Sequence, residues 1–152
     1  MFHPRVILAP TDFSDYSKCA FDVAIDLARQ NQARLLALHV VDTLGAEDAT
    51  YGEVTTHLEP DHHRGLLLDD LSRHTRTIAG DFPVESLLAE GEPAREIDRI
   101  VRERHCDLVV MATHGRSGLK RLLMGSVAEQ VIRIVPCPVL ICKLPPEAAS
   151  SH

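Results

Sequence analysis

A chain of 152 residues fits one domain of ordinary size, long enough to bury a core without disulfide or metal staples. Hydrophobic residues at 45% and charged residues at 25% favour a globular over a disordered chain, and a net charge of -6 argues against broad attachment to nucleic acid or an anionic membrane, leaving only the local cluster at 116–121 basic. No apolar run approaches the roughly 20 residues of a membrane span, and Asp12 and Asp15 fall too early for a signal peptide, so a cytoplasmic address is expected.

Arg5 to Ala9 is a short β-branched and apolar run that stops at Pro10, which cannot donate to a ladder; it is the first expected strand. Ser14 is placed to cap a helix in which Cys19, Ala20, Val23, Ala24, Leu27 and Ala28 recur three and four apart, ending near Asn31. Leu35 to Val41 is nearly continuous in apolar residues, as a strand covered on both faces must be. From Asp42 to about Glu59 no periodicity survives, and a long connection is expected there. Pro60 suits a first helical turn, after which Leu67, Leu68, Leu71, Thr75 and Ile78 form a stripe closing at Gly80. Pro83 to Glu90 alternates as a more exposed strand, stopped by Gly91. A third helix starts at Pro93 and carries Ala94, Ile97, Ile100 and Val101, and Asp107 to Ala112 is the fourth strand. Ala128, Val131, Ile132 and Val135 mark one face of a last helix, which Pro136-Cys137-Pro138 breaks before a fifth strand at Val139 to Cys142. After Leu144 no core signal remains, giving a folded domain over residues 1–144 and a disordered tail over 145–152.

Strands alternating with helices imply an α/β fold: a single doubly wound, Rossmann-like domain with a five-stranded parallel sheet of order 3-2-1-4-5 and helices on both faces. In that order the winding reverses between strands 1 and 4, which opens a crevice at their carboxyl ends where such folds hold ligands. Two loops border it, one with Pro10-Thr11-Asp12 and one running from Gly115 to Ser126 with the cations Arg116, Lys120 and Arg121. Ser126 followed three residues later by Glu129 reads as a capping box. The amides of the turn it opens carry the positive end of the helix dipole, the chemistry a phosphate needs. Local features alone leave an ordinary loop-to-helix connection equally open. Cys19, Cys106, Cys137 and Cys142 form no Cys-x-x-Cys pair, so they are expected as reduced, packed thiols.

These residues resemble those of the universal stress protein family, whose ATP-binding members carry Gly-x2-Gly-x9-Gly followed by Ser or Thr. Gly115, nine residues, Gly125 and Ser126 match the last two glycines and the hydroxyl, while Ala112 stands where the first glycine is expected. Pro10-Thr11-Asp12-Phe13-Ser14, Leu38-His39-Val40-Val41-Asp42 and Pro136-Cys137-Pro138-Val139-Leu140 extend the resemblance over nearly the whole chain. It implies an ATP site in which Asp12 accepts from ribose hydroxyls and Val40 faces the adenine, with Pro10 and Thr11 beside it. Gly115, Arg116, Gly125, Ser126 and Val127 would surround the phosphates, with Mg or Mn neutralising charge between phosphate oxygens, and Met111 and Ala112 would complete the site. The resemblance also implies a homodimer through the last strand, Val139, Leu140, Ile141 and Cys142, whose apolar edge invites pairing.

Plainer roles stay open for several of these residues. Asp12 can simply cap the following helix. His114, the one imidazole inside the motif, can orient a hydrolytic water or be a loop histidine bonded to backbone. No Gly-x4-Gly-Lys-Ser/Thr is present, which excludes a P-loop enzyme, and no serine sits in a nucleophile elbow. His57, His62 and His63 lack the spacing of a helical metal pair. No catalytic residue is assigned. The expected function is an ATP-binding, homodimeric switch in the stress response; a nucleotide-free interaction module of the same fold, its pocket closed by Ala112, and a slow ATP hydrolase remain alternatives.

Overall fold

Strands and helices alternate along the chain as β1 (Val6–Pro10), α1 (Asp15–Asn31), β2 (Arg34–Val41), α2 (Pro60–Ala79), β3 (Val84–Glu90), α3 (Pro93–Glu103), β4 (Leu108–Ala112), α4 (Ser126–Ile134) and β5 (Val139–Cys142). The computed structural model describes residues 1–43, 60–114 and 124–143. The expected connection beyond Thr43, the loop carrying Gly115, Arg116, Lys120 and Arg121, and the tail at 145–152 lie outside the described residues. All strand pairs are parallel and the sheet runs β3-β2-β1-β4-β5, the order expected from the alternation. Leu8 stands beside Leu36 on one side and Val109 on the other, so the centre of the sheet is a continuous apolar layer.

Successive residues of each strand face opposite sides, and the two cores follow from that period. Ile7, Ala9, Leu35, Ala37, Val110 and Ala112 pack with the α1 side chains Ala20, Phe21, Ala24 and Ala28 and with Leu71 of α2. Leu8, Leu36, Leu38, Val109 and Met111 pack with Ile97, Ile100 and Val101 of α3 and with Ala128 and Val131 of α4. Every residue of β4 is buried, which explains why its sequence shows no alternation.

Local chemistry sets the helix ends. Ser14 Oγ accepts from the Ser17 amide at 3.2 Å and starts α1. Gln32, at φ 53°, closes it in the left-handed conformation. Pro93 occupies the first turn of α3, where its missing N–H is harmless. α4 departs from expectation. Its N-cap is Gly125, and Ser126 is already the first helical residue, so the capping box does not form. The cause is backbone anchoring: Gly125 N donates to Thr113 O at 2.6 Å while Gly125 O accepts from Glu129 N at 3.0 Å, starting the helix one residue early. Glu129 turns instead to Arg133, 2.8 Å away one turn on. Among the described residues, no helix is long and apolar enough to cross a membrane.

Candidate functional site

The chain leaves β1 toward the α1 face and reaches α4 on the other face, so the carboxyl ends of these two adjacent strands part. There the described residues line a cavity of about 230 Å³. A larger hollow of about 410 Å³ lies between the end of α2 and β3, but none of the sequence-predicted site residues borders it.

Four segments bring the predicted residues to the smaller cavity. The end of β1 and its loop contribute Pro10, Thr11 and Asp12; β2 contributes Val40. β4 brings Met111 and Ala112, and the start of α4 brings Gly125, Ser126 and Val127. Gly115 and Arg116 lie outside the described residues. The cavity is smaller than the roughly 300–1,000 Å³ of typical small-molecule pockets, room for only part of a ligand of that class.

The wall chemistry is divided. Leu38, Val40, Pro93, Ile97 and Met111 give an apolar side suited to a flat ring. The same cavity is also lined by Asp12, Thr113 and Ser126, which carry a carboxylate and two hydroxyls, and by the first turn of α4. Since Glu129 makes the first intrahelical bond back to Gly125, the amides of Ser126, Val127 and Ala128 have no acceptor within the helix. They form the positive end of its dipole.

The loop after β1 is held by its own side chains. Asp12 Oδ1 accepts from Ser14 N at 3.0 Å, and Thr11 Oγ1 accepts from Phe13 N at 3.1 Å while lying 3.1 Å from Ser17 Oγ. Asp12 therefore shapes the loop without being the N-cap, which is Ser14. Phe13 adopts φ 65°, a left-handed backbone that costs a side-chain-bearing residue about 1–2 kcal/mol.

Ala112 adds a methyl at the motif position expected to be glycine. It lies in the extended β4 ladder opposite Cys142, so no positive φ is called for. Its side chain belongs to the core shared with α1, the face opposite Met111, Ile97 and Ala128. Its methyl therefore points away from the apolar side of the cavity.

His114 borders the cavity and packs edge-on against Tyr16, with ring centroids 5.9 Å apart. Among the described residues no group of three or more His, Cys, Asp or Glu is arranged to hold a metal ion, and all four cysteines are free. Burial, with a smaller push from Cys137, raises the Cys106 thiol to about 12, so it is an inert packed thiol. Sequence reasoning did not place Ser17, Leu38, Pro93, Ile97, Thr113, His114 or Ala128 among the site residues, yet all line the cavity. Pro93 and Ile97 read only as a helix start and a core position, and nothing in their local pattern distinguishes a wall from a core.

Comparisons with known proteins agree with this architecture. A universal stress protein of Methanocaldococcus jannaschii, MJ0531, is 35% identical, with 93% of this chain and 83% of that protein covered. The solved structure of the hypothetical protein MJ0577 superposes with a TM-score of 0.74 at 26% identity, covering 95% of this chain and 99% of that one. Two more distant structures share the fold. One is a universal stress protein in complex with cAMP, with a TM-score of 0.66 at 23% identity, covering 93% of this chain and 98% of that one. The other is a universal stress protein from Archaeoglobus fulgidus in complex with dAMP, with a TM-score of 0.60 at 20% identity and the same coverage. The sequence model of the universal stress protein family matches residues 4–143, nearly the whole chain, and this protein belongs to that family.

Proposed function

We propose that the protein is a cytoplasmic, ATP-binding homodimer whose nucleotide state acts as a switch in the stress response. The observation that carries this reading is the meeting, at one cavity, of an apolar wall, the Asp12 carboxylate and the first turn of α4. An adenine nucleotide has the matching parts in the matching kinds: a flat ring, a hydroxylated sugar and anionic phosphates. The ring lies against Val40, Met111 and Ile97, Asp12 accepts from the ribose hydroxyls, and the amides of Ser126 and Val127 donate to phosphate oxygens. Structural neighbours solved with cAMP and dAMP carry the same adenine and phosphate groups, which supports this class of ligand. Mg or Mn, held through the phosphates, neutralises charge there when bound. Dimerisation uses Val139, Leu140, Ile141 and Cys142 of the edge strand β5. No residue is given a catalytic role.

The test is to denature freshly purified protein, identify released nucleotide by chromatography and mass, and titrate the stripped protein with ATP and Mg by calorimetry. Stoichiometric ATP or binding in the micromolar range is expected. Neither nucleotide nor heat of binding would overturn the proposal and leave the nucleotide-free interaction module as the reading.

A further inference from the structure

We infer that Phe13, gripped by the imidazoles of His39 and His74, is a positioning residue that sets Asp12 against the ribose of the bound nucleotide. A bulky residue at φ 65° persists only where its surroundings compensate the strain. The surroundings here are two rings from two different elements. The Phe13 ring lies 4.6 Å from that of His39, tilted by 52°, and 5.2 Å from that of His74, nearly edge-on at 76°. His39 is fixed in turn, because its Nδ1 donates to Thr11 O at 2.9 Å; a carbonyl only accepts, so this nitrogen carries the proton. His74 gives up more. Its Nε2 is buried with no hydrogen-bond partner among the described residues, a loss that a phenylalanine or leucine at this place on α2 would avoid.

The consequence falls on the neighbouring residue. With Phe13 turned into the left-handed region, its own amide reaches Thr11 Oγ1 and the next amide, that of Ser14, reaches Asp12 Oδ1. The loop is thus closed on both sides of Asp12, and the carboxylate stays at the cavity wall. A glycine at position 13 would reach φ 65° without strain, but it would offer no ring for β2 and α2 to hold. The grip therefore substitutes fixed geometry for conformational ease, the kind of support a precise contact requires.

The inference rests on the nucleotide reading, so its test separates the two. Wild type, Phe13→Ala, His74→Leu and His74→Phe are titrated with ATP and with 2′,3′-dideoxyATP, and amide hydrogen exchange is followed in the nucleotide-free proteins. Wild type is expected to prefer ATP by about tenfold, the value of one hydrogen bond to a charged acceptor. Phe13→Ala should lose that preference by weakening ATP alone, with the Phe13-position and Ser14 amides exchanging faster while the interior of α1 stays protected. His74→Phe, which keeps an edge-on ring, should retain the preference, and His74→Leu should fall between. The His74 variants carry the same ratio test if Phe13→Ala does not fold. An unchanged ratio in a wild type and Phe13→Ala pair that both bind ATP would overturn the grip alone, as would a wild type that binds both nucleotides equally. A wild type that binds neither would overturn the nucleotide reading and this inference with it.

Discussion

Ala112 is the residue at which the family motif and this sequence part, and its surroundings decide how much that matters. The glycine pattern suggests bare backbone beside a ligand, but position 112 is extended strand with its methyl in the α1-facing core. Ala112→Gly should therefore change ATP affinity by less than about twofold, while lost burial and added chain freedom lower stability by about 1 kcal/mol. Calorimetry and urea unfolding read the two effects separately, and a tenfold gain in affinity would show that the methyl intrudes on the site. His74 makes a second prediction at this scale. Burial, and then the Lys18 ammonium on α1, lower its pKa from the ordinary 6.5, with Phe13 and His39 on its other side. The unfolded chain thus binds the proton more tightly than the folded one. Stability should fall as pH drops through about 6.5 toward the lower folded value, then level off. Urea midpoints taken near about pH 7.5 and about pH 5 should differ less in His74→Phe than in wild type. Equal differences in the two proteins would exclude His74 as a source of acid sensitivity.

Among the elements, the two serines at helix starts give opposite expectations. Ser14 Oγ accepts from the first turn of α1, so Ser14→Ala should cost about 1 kcal/mol; Ser126 is inside α4 and makes no cap bond, so Ser126→Ala should cost well under about 0.5 kcal/mol. Equal losses in urea unfolding would mean that Ser126 does cap the helix. The capping-box reading failed for a reason invisible in a local window: Gly125 is tied by 2.6 Å to Thr113, twelve residues back on the neighbouring strand connection. The strand and helix order was legible because apolar runs and helical stripes are bounded by punctuation, as at Pro60, Gly80 and Pro93, and β5 matches its expected bounds from Val139 to Cys142. The cavity was legible in part. Pro10 to Asp12 and Gly125 to Val127 stand beside sequence punctuation, whereas Pro93 and Ile97 reach it, and the His39 and His74 rings reach Phe13 behind it, through tertiary packing, which no spacing encodes. Gly125 itself has φ -60° and ψ 154°, a backbone open to any residue. Gly125→Val should therefore fold with a normal circular dichroism spectrum yet lose ATP binding, and unchanged affinity would remove the start of α4 from the site.

For the whole molecule, the sheet has two edges, β3 and β5, and they are finished differently. β3 carries Glu85, which pairs with Arg34 at 3.1 Å and Arg104 at 2.6 Å, and Glu90, 3.7 Å from Arg64. Charges along an edge strand discourage another chain from adding to it. β5 reads Val-Leu-Ile-Cys with no charge before Lys143, and Leu140 is exposed on it as Ile132 and Ile134 are on α4. An apolar edge beside exposed isoleucines is the surface the proposed second copy would cover, and a two-fold axis through β5 would close the pair without leaving a sticky end. Placing Glu at position 140 would set like charges against each other across that axis while leaving the inward-facing Ile141 and Cys142 untouched. Leu140→Glu should therefore sediment as a monomer with wild-type helix and strand content where the wild type sediments as a dimer. A dimer that survives this substitution would place the interface elsewhere and leave β5 as an edge guarded by some other means.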